Sequence, residues 1–127
     1  MSDITIRNYT EQDHDDVVRV WREQLEQSRP HHDVGLSIDR KVVYQPEFFF
    51  VAVADGKVIG TVMGGYDGHR GWLYSVAVTD EYQRQGVATR LVLHVEEAMR
   101  KLGCVKINLQ VMPQNTDAIA FWEALGW

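Results

Sequence analysis

The residues best placed to do chemistry lie where a strand, a polar turn, a glycine-bearing loop and a helix follow one another. They are Tyr74-Ser75-Val76-Ala77-Val78, then Thr79 to Tyr82, then Gln83-Arg84-Gln85-Gly86-Val87-Ala88-Thr89-Arg90. A helix N-terminus carries unpaired N–H groups and a partial positive charge, so a loop of small residues leading into it can cradle a pyrophosphate. Gly86 and Ala88 permit close approach, the first turn holds no Asp or Glu, and Arg84 and Arg90 add positive charge. The same residues also fit a plain strand-to-helix turn, because one glycine-rich loop is a weak signal. The absence of a P-loop lysine and of a three-glycine dinucleotide pattern weakens those two phosphate-binding alternatives.

Other reactive side chains are more isolated. Cys104 follows the helix-ending Gly103 with no evident base beside it, which favours a structural thiol over a nucleophile. His31 and His32 are adjacent, and without a spaced Cys, His or Glu partner they do not make a metal site. Arg29, in the same polar stretch, is a candidate for holding a substrate carboxylate.

The elements that must position these residues follow from hydrophobic spacing. Ile4 and Ile6 alternate with polar neighbours as a first strand, and Thr10 with Asp13 forms a helix-starting cap. Val17, Val18, Trp21 and Leu25 recur at helical spacing up to the polar stretch before Pro30, and Ser37 caps a second short helix ending ahead of Pro46. Phe48 to Ala54, the turn Asp55-Gly56 and Lys57 to Tyr66 read as a β-hairpin, which Trp72 to Val78 extends into an antiparallel meander. Gly60, Gly64 and Gly65 in the middle strand mark close backbone approach. Gly86 to Leu102 carries its apolar residues on one helical face and stops at Gly103. Val105 to Val111 alternates as a strand, and Asn115 or Thr116 opens a last helix closed by Gly126. The order is βααβββαβα.

Composition narrows the function. A chain of 127 residues suits one domain spanning 1–127, with no low-complexity linker to divide it. Thirteen Lys and Arg against 18 Asp and Glu give a formal charge of −5, which argues against nucleic acid or an anionic membrane surface as partner. The single cysteine excludes an intrachain disulfide, and no apolar run approaches a membrane span, so the expected location is the cytoplasm.

Gln83-Arg84-Gln85-Gly86-Val87-Ala88 also resembles the Gln/Arg-x-x-Gly-x-Gly/Ala signature of the GNAT superfamily of N-acetyltransferases. Asn115 to Trp127 is similar to that family's Asn-x-x-Ala-x-x-x-Tyr-x-x-x-Gly-Phe/Tyr helix, and the element order agrees along the whole chain. The stretch Gly60 to Gly71 further resembles the YpeA-like bacterial branch. The resemblance implies a mixed α/β fold, with a mostly antiparallel sheet and helices on both faces. It also implies acetyl-CoA as cosubstrate and, as acceptor, a primary amine of a small molecule or peptide.

Carried over residue by residue, the resemblance assigns pantetheine binding to the backbone of Val76, Ala77 and Val78. It assigns pyrophosphate binding to the N–H groups of Arg84, Gln85, Gly86, Val87, Ala88 and Thr89, and a further cofactor contact to Asn115. It implies direct attack of a neutral amine on the thioester, with the Val76 N–H holding the oxyanion. The chain departs from the family where acid and base are common: Trp122 stands in place of a tyrosine that protonates the thiolate, and Trp72 and Gln110 stand where some members have a glutamate. Tyr74 is then the candidate proton donor, with packing as its other role, and Asp67 or His69 are candidate water-relayed bases. A catalytically weak acyl-CoA sensor is the alternative function. By the same resemblance two further strands are expected after Trp127, so the edge of Val105 to Val111 should be covered by missing residues, a neighbouring segment or a second subunit of a homodimer.

Overall fold

The computed structural model describes residues 3–24, 45–108 and 116–125. Five strands form one sheet in the order β1-β2-β3-β4-β5: Thr5–Asn8, Phe49–Ala54, Lys57–Tyr66, Gly71–Val78 and Ile107–Asn108. The first four pair antiparallel, and β5 joins parallel to β4 with Gly71 beside Ile107 and Trp72 beside Asn108. Among the described residues three α-helices accompany the sheet: α1, His14–Gln24; α2, Val87–Arg100; and α3, Thr116–Ala124. This is the expected mixed, mostly antiparallel α/β architecture. The helix expected between Ser37 and Pro46, the strand residues 109–111 and Asn115 lie outside the described residues.

The unbroken apolar run of β2 has a simple cause: both faces of the strand are buried, so alternation with polar residues is lost. Phe50, Ala52 and Ala54 join the core beneath α2 with Val87, Leu91, Val95 and Met99. Phe49 and Val51 join the core beneath α1 with Val17, Val20 and Trp21. Trp21 is fully buried, and its indole N–H donates to the Thr61 hydroxyl at 2.7 Å, so the ring's polar edge is satisfied inside the core.

Local signals set the element boundaries. The Asp13 carboxylate accepts the Thr10 N–H at 2.8 Å and a two-point contact from Arg7 at 2.7 and 2.9 Å, fixing the entry to α1. The β2–β3 turn places Asp55 and Gly56 at φ 53° and 76°, the left-handed pair a two-residue hairpin needs. Two of the three glycines in β3 mark close approach as expected. A Cβ on Gly64 would lie 2.5 Å from Met99 Cε and 2.8 Å from Val95 Cγ1, and one on Gly60 would lie 3.1 Å from Leu91 Cδ1. Gly71 is the third point of close approach to α2, where a Cβ would stand 2.6 Å from Met99 Sδ, whereas a Cβ on Gly65 would meet only ordinary contacts.

One irregularity positions the site. Thr61 pairs with Ala77 but Met63 pairs with Tyr74, so β4 spends two residues, Ser75 and Val76, opposite Val62. This bulge bends β4 and sets its two halves out of phase. Tyr74 and Ala77 consequently share the α1 side of the sheet although they are three residues apart.

Candidate active site

The half of β4 beyond the bulge turns main-chain groups outward. The Thr79 N–H donates to the Ile59 carbonyl at 2.9 Å, so by the alternation of an antiparallel ladder Val78, paired with Gly60, aims its N–H and C=O away from β3. Val76, two residues earlier, is one of the two bulge residues and lines the same cleft. Among the described residues β5 pairs only with Gly71 and Trp72, leaving this outward edge without a strand partner. The Val78 carbonyl is occupied from within the chain: the Gln83 side-chain amide donates to it at 2.9 Å and to Gln24 Oε1 at 3.1 Å.

The same edge runs into the start of α2. Gly86 caps that helix at φ 80° and Arg84 sits at φ 63°, two left-handed residues that turn the loop sharply into the helix. The first internal bond of the helix runs from the Arg90 N–H to the Gly86 carbonyl at 3.0 Å. Among the described residues the N–H groups of Val87, Ala88 and Thr89 have no hydrogen-bond acceptor, no side chain caps the helix and its first turn has no acidic residue. A Cβ added at Gly86 would meet nothing within 4 Å, so the loop opens onto free space.

Edge and helix terminus share one cleft of about 890 Å³. Its walls are Val76 to Val78 of β4, Tyr82 to Arg84 and Gly86 of the loop, Val87 to Thr89 of α2, and Ala120 to Trp122 of α3, with Gln24 at the end of α1. Arg84 is the only charged side chain among these residues, and it is positive in a chain of net charge −5. Unpaired N–H donors, a positive side chain and an open strand edge together suit an elongated ligand with an anionic end and amide groups. A smaller cleft of about 410 Å³ between α1 and the Asp55–Lys57 turn is lined by charges of both signs and does not reach the N-terminus of α2.

The structure brings most of the sequence-nominated residues together: Val76, Ala77, Val78, Arg84, Gly86, Val87, Ala88 and Thr89 all line the large cleft. Gln85 lies in the loop, but its side chain turns back to donate to the Glu81 carbonyl at 3.2 Å. Arg90 points elsewhere, donating to the Ile4 carbonyl at 2.9 Å, so among the described residues lining the cleft Arg84 alone supplies side-chain charge. Cys104 is buried against the Lys106 carbonyl at 3.3 Å, away from the cleft. Gln24, Ala120 and Phe121 were not legible as wall residues, since they reach the cleft only through tertiary packing. Gln83 opens the motif, but nothing local in the sequence announces its bond to Val78.

Tyr74 lies before the bulge and does not line the large cleft. It packs beside Gly65 and is 44% exposed. Partial burial, and secondarily the negative charge of Asp67, push its hydroxyl above the ordinary tyrosine value, so the phenol stays protonated and suits donation rather than base catalysis. The Asp67 carboxylate itself accepts the N–H groups of His69 and Arg70, both at 2.8 Å, which pulls its pKa down and ties it to the β3–β4 turn.

Comparison with known proteins agrees with this geometry. The acetyltransferase (GNAT) family profile matches residues 10–127. The chain is 38% identical over 120 residues to an acetyltransferase of Sodalis glossinidius, covering 94% of this chain and 84% of that protein. It is 37% identical over 122 residues to an acetyltransferase of Yersinia pestis, covering 96% and 86%. Among solved structures it resembles Ard1 from Thermoplasma volcanium, with a TM-score of 0.86 and 25% identity over 97% of this chain and 81% of that one. It also shares its fold with the aminoglycoside N-acetyltransferase AAC(6')-Iy in complex with CoA, with a TM-score of 0.78 and 24% identity over 100% of this chain and 89% of that one. With the motif and the bare helix terminus in one cleft, these matches establish that the chain belongs to the acetyltransferase (GNAT) family and is an N-acetyltransferase.

Proposed function

We propose that this chain, acting as a single domain over residues 1–127, transfers the acetyl group of acetyl-CoA to a primary amine of a small molecule or peptide. The observation that carries this reading is that Val76 to Val78 and the unpaired N–H groups of Val87 to Thr89 line one continuous cleft. Acetyl-CoA supplies an activated thioester. The N–H groups of the Gly86 loop and first turn of α2 hold the pyrophosphate, with Arg84 beside it. The N–H of Val78 takes an amide carbonyl of the pantetheine arm, the Val78 carbonyl being held by Gln83. The Val76 N–H, released at the bulge, faces the carbonyl oxygen that gains negative charge as the amine adds. By the family resemblance Asn115, outside the described residues, is a further cofactor contact.

Proton handling uses weaker groups. Trp122 walls the cleft where a phenol would protonate the leaving thiolate, and its indole N–H donates a hydrogen bond without transferring a proton. A thiolate with a pKa near about 8.5, by analogy with cysteine, leaves without full protonation. Tyr74 is the candidate donor on the acceptor side, with Asp67 or His69 as relayed bases. The proposed location is the cytoplasm; no helix among the described residues is long and apolar enough to cross a membrane.

One observation favours a second reading, a domain that binds acyl-CoA as a sensor: among the described residues no Asp, Glu or His lines the large cleft. Release of free thiol from acetyl-CoA, measured across amino acids, polyamines, aminoglycosides and peptides, separates the two. Transfer to at least one amine class supports the enzyme. Tight acetyl-CoA binding with no transfer to any of them supports the sensor.

A further inference from the structure

The smaller cleft of about 410 Å³ plays no part in the reaction, yet one residue on its wall is left incomplete. Thr79 is only 7% exposed, and its backbone N–H is engaged by the Ile59 carbonyl at 2.9 Å. Its side chain makes no cap bond to the turn it opens, and among the described residues the hydroxyl has no hydrogen-bond partner. A hydroxyl this far buried normally has one, and leaving it unpaired is costly. Since Thr79 lines the cleft, a bound molecule can supply that partner.

The charges around Thr79 select the molecule. Glu23, Asp55, Asp80 and Glu81 put four carboxylates on the walls against two cations, Arg19 and Lys57. Arg19 is already committed: it donates to the Val58 carbonyl at 3.0 Å and lies 3.9 Å from Asp16 and 3.8 Å from Glu23. Asp80, by contrast, accepts neutral amides, from Gln24 at 3.0 Å and Gln83 at 3.3 Å. Glu81 has no ion pair among the described residues. The cleft therefore favours a cation. Among the described residues no three acids or histidines converge as a metal site, whereas Ala54, Ile59 and Tyr82 add apolar wall. The fit is to an organic cation rather than a metal ion.

Asp80 and Glu81 also tie this cleft to the larger one. Gln83, which reaches Asp80 Oδ1 at 3.3 Å, donates to the Val78 carbonyl at 2.9 Å, and Tyr82 lines both clefts. The Gln85 side chain, from the loop that opens α2, donates to the Glu81 carbonyl at 3.2 Å. Neutralising the two carboxylates removes negative charge beside the loop proposed to hold the anionic cofactor. We propose that the smaller cleft is an effector site for a small alkyl cation with N–H donors, an ammonium or guanidinium, which donates to the Thr79 hydroxyl and to the carboxylates of Asp80 and Glu81. Its occupancy tightens acyl-CoA binding. The site itself is independent of the acetyl-transfer reading; the coupling rests on that reading through the cofactor cleft.

The test titrates butylguanidinium, which has no primary amine to acetylate, into the isotopically labelled protein with and without CoA at constant ionic strength. The expected result is saturable amide shifts at Thr79, Asp80 and Glu81. CoA Kd should fall by about fivefold or more at saturating butylguanidinium, and butylguanidinium should gain the same factor when CoA is bound. Tetramethylammonium, which has no N–H, and magnesium chloride should not reproduce these shifts. Thr79→Val should keep the melting temperature and the CoA affinity of the wild type, since the lost hydroxyl has no partner, but weaken butylguanidinium by about fivefold or more. Should that variant fail to fold, Glu81→Gln, at an exposed position, must weaken the cation likewise. Shifts that do not saturate, that magnesium or tetramethylammonium reproduce, or that survive both substitutions would show a general attraction to acidic surface and overturn the proposal. Saturable binding that leaves CoA affinity unchanged would overturn the effector role. If CoA itself does not bind, the cofactor reading has failed, and saturable binding of butylguanidinium that depends on Thr79 or Glu81 still upholds the site.

Discussion

The two halves of β4 are built from different materials. From the bulge onward, Val76 to Val78 line a cleft that continues into the bare N–H groups of α2, and the side chains there are mostly small or apolar. Before the bulge, Trp72 and Tyr74, with Asn108 beside them, present side chains on the α1 side. A site made of backbone depends on conformation and tolerates many side-chain changes, provided glycine stays where φ is positive. A site made of side chains changes its preference with each substitution. Under the proposed function, the first half serves the cosubstrate common to every turnover and the second is left for groups that vary with the acceptor.

The sharpest way to break that division is Gly86→Glu. The left-handed φ of 80° costs a non-glycine residue about 1 kcal/mol, and the carboxylate adds negative charge at the proposed pyrophosphate site. Acetyl-CoA affinity is expected to fall about a hundredfold or more, equivalent to roughly 2.7 kcal/mol, as read by calorimetry. Gly86→Asn is the control: asparagine tolerates the left-handed region and carries no charge, so it should bind within about tenfold of wild type. Unchanged affinity in a folded Gly86→Glu protein would refute the assignment.

A smaller effect is expected at Gln83→Ala. That substitution removes the donor to the Val78 carbonyl and the link to Gln24 while leaving the helix N-terminus intact. Losing hydrogen bonds of this kind costs about 0.5–1.5 kcal/mol, so acetyl-CoA Kd should rise by about two- to tenfold. No change would mean that Gln83 closes the loop without helping to shape the strand edge.

How far the sequence speaks follows the same division. Gly86, Ala88 and the missing acids of the first turn were legible because backbone anion sites impose local requirements on adjacent residues. The apolar run Phe49 to Ala54 and the close approach of Gly60 and Gly64 were legible for similar reasons. The bulge at Ser75–Val76 was not, because alternation in Tyr74 to Val78 looks regular until Met63 is found opposite Tyr74. The local sequence suggests Arg90 as cofactor charge, yet a contact 86 residues away, to Ile4, decides its direction. Nothing local in the sequence announces that the Asn108 side-chain nitrogen ends sealed and, among the described residues, unpartnered.

The smallest expected effects concern Tyr74, and they are confined to the side-chain half. Tyr74→Phe should leave acetyl-CoA affinity unchanged and alter kcat modestly, by less than about tenfold, within the range of a single acid–base contribution. Because burial, and to a lesser degree Asp67, raises the hydroxyl above the ordinary value of 10.0, the folded state favours the protonated phenol. Its contribution to stability is therefore fully present below pH 10 and is lost as pH rises through the higher folded pKa. Asp67→Asn should lower that pKa only part of the way in an ultraviolet titration, since burial is the larger cause. Full return to the ordinary value would show that charge, not burial, governs the site.

The central claim is that acyl-CoA lies along the outward edge of β4 and ends on the first turn of α2. Amide resonances of the isotopically labelled protein, followed while CoA is titrated, test it most directly. The account predicts the largest shifts at Val76, Val78 and Gly86 to Thr89, with little movement at Arg19, Lys57 and Asp80 in the smaller cleft. Dominant shifts in that smaller cleft, with the α2 first turn unmoved, would contradict it.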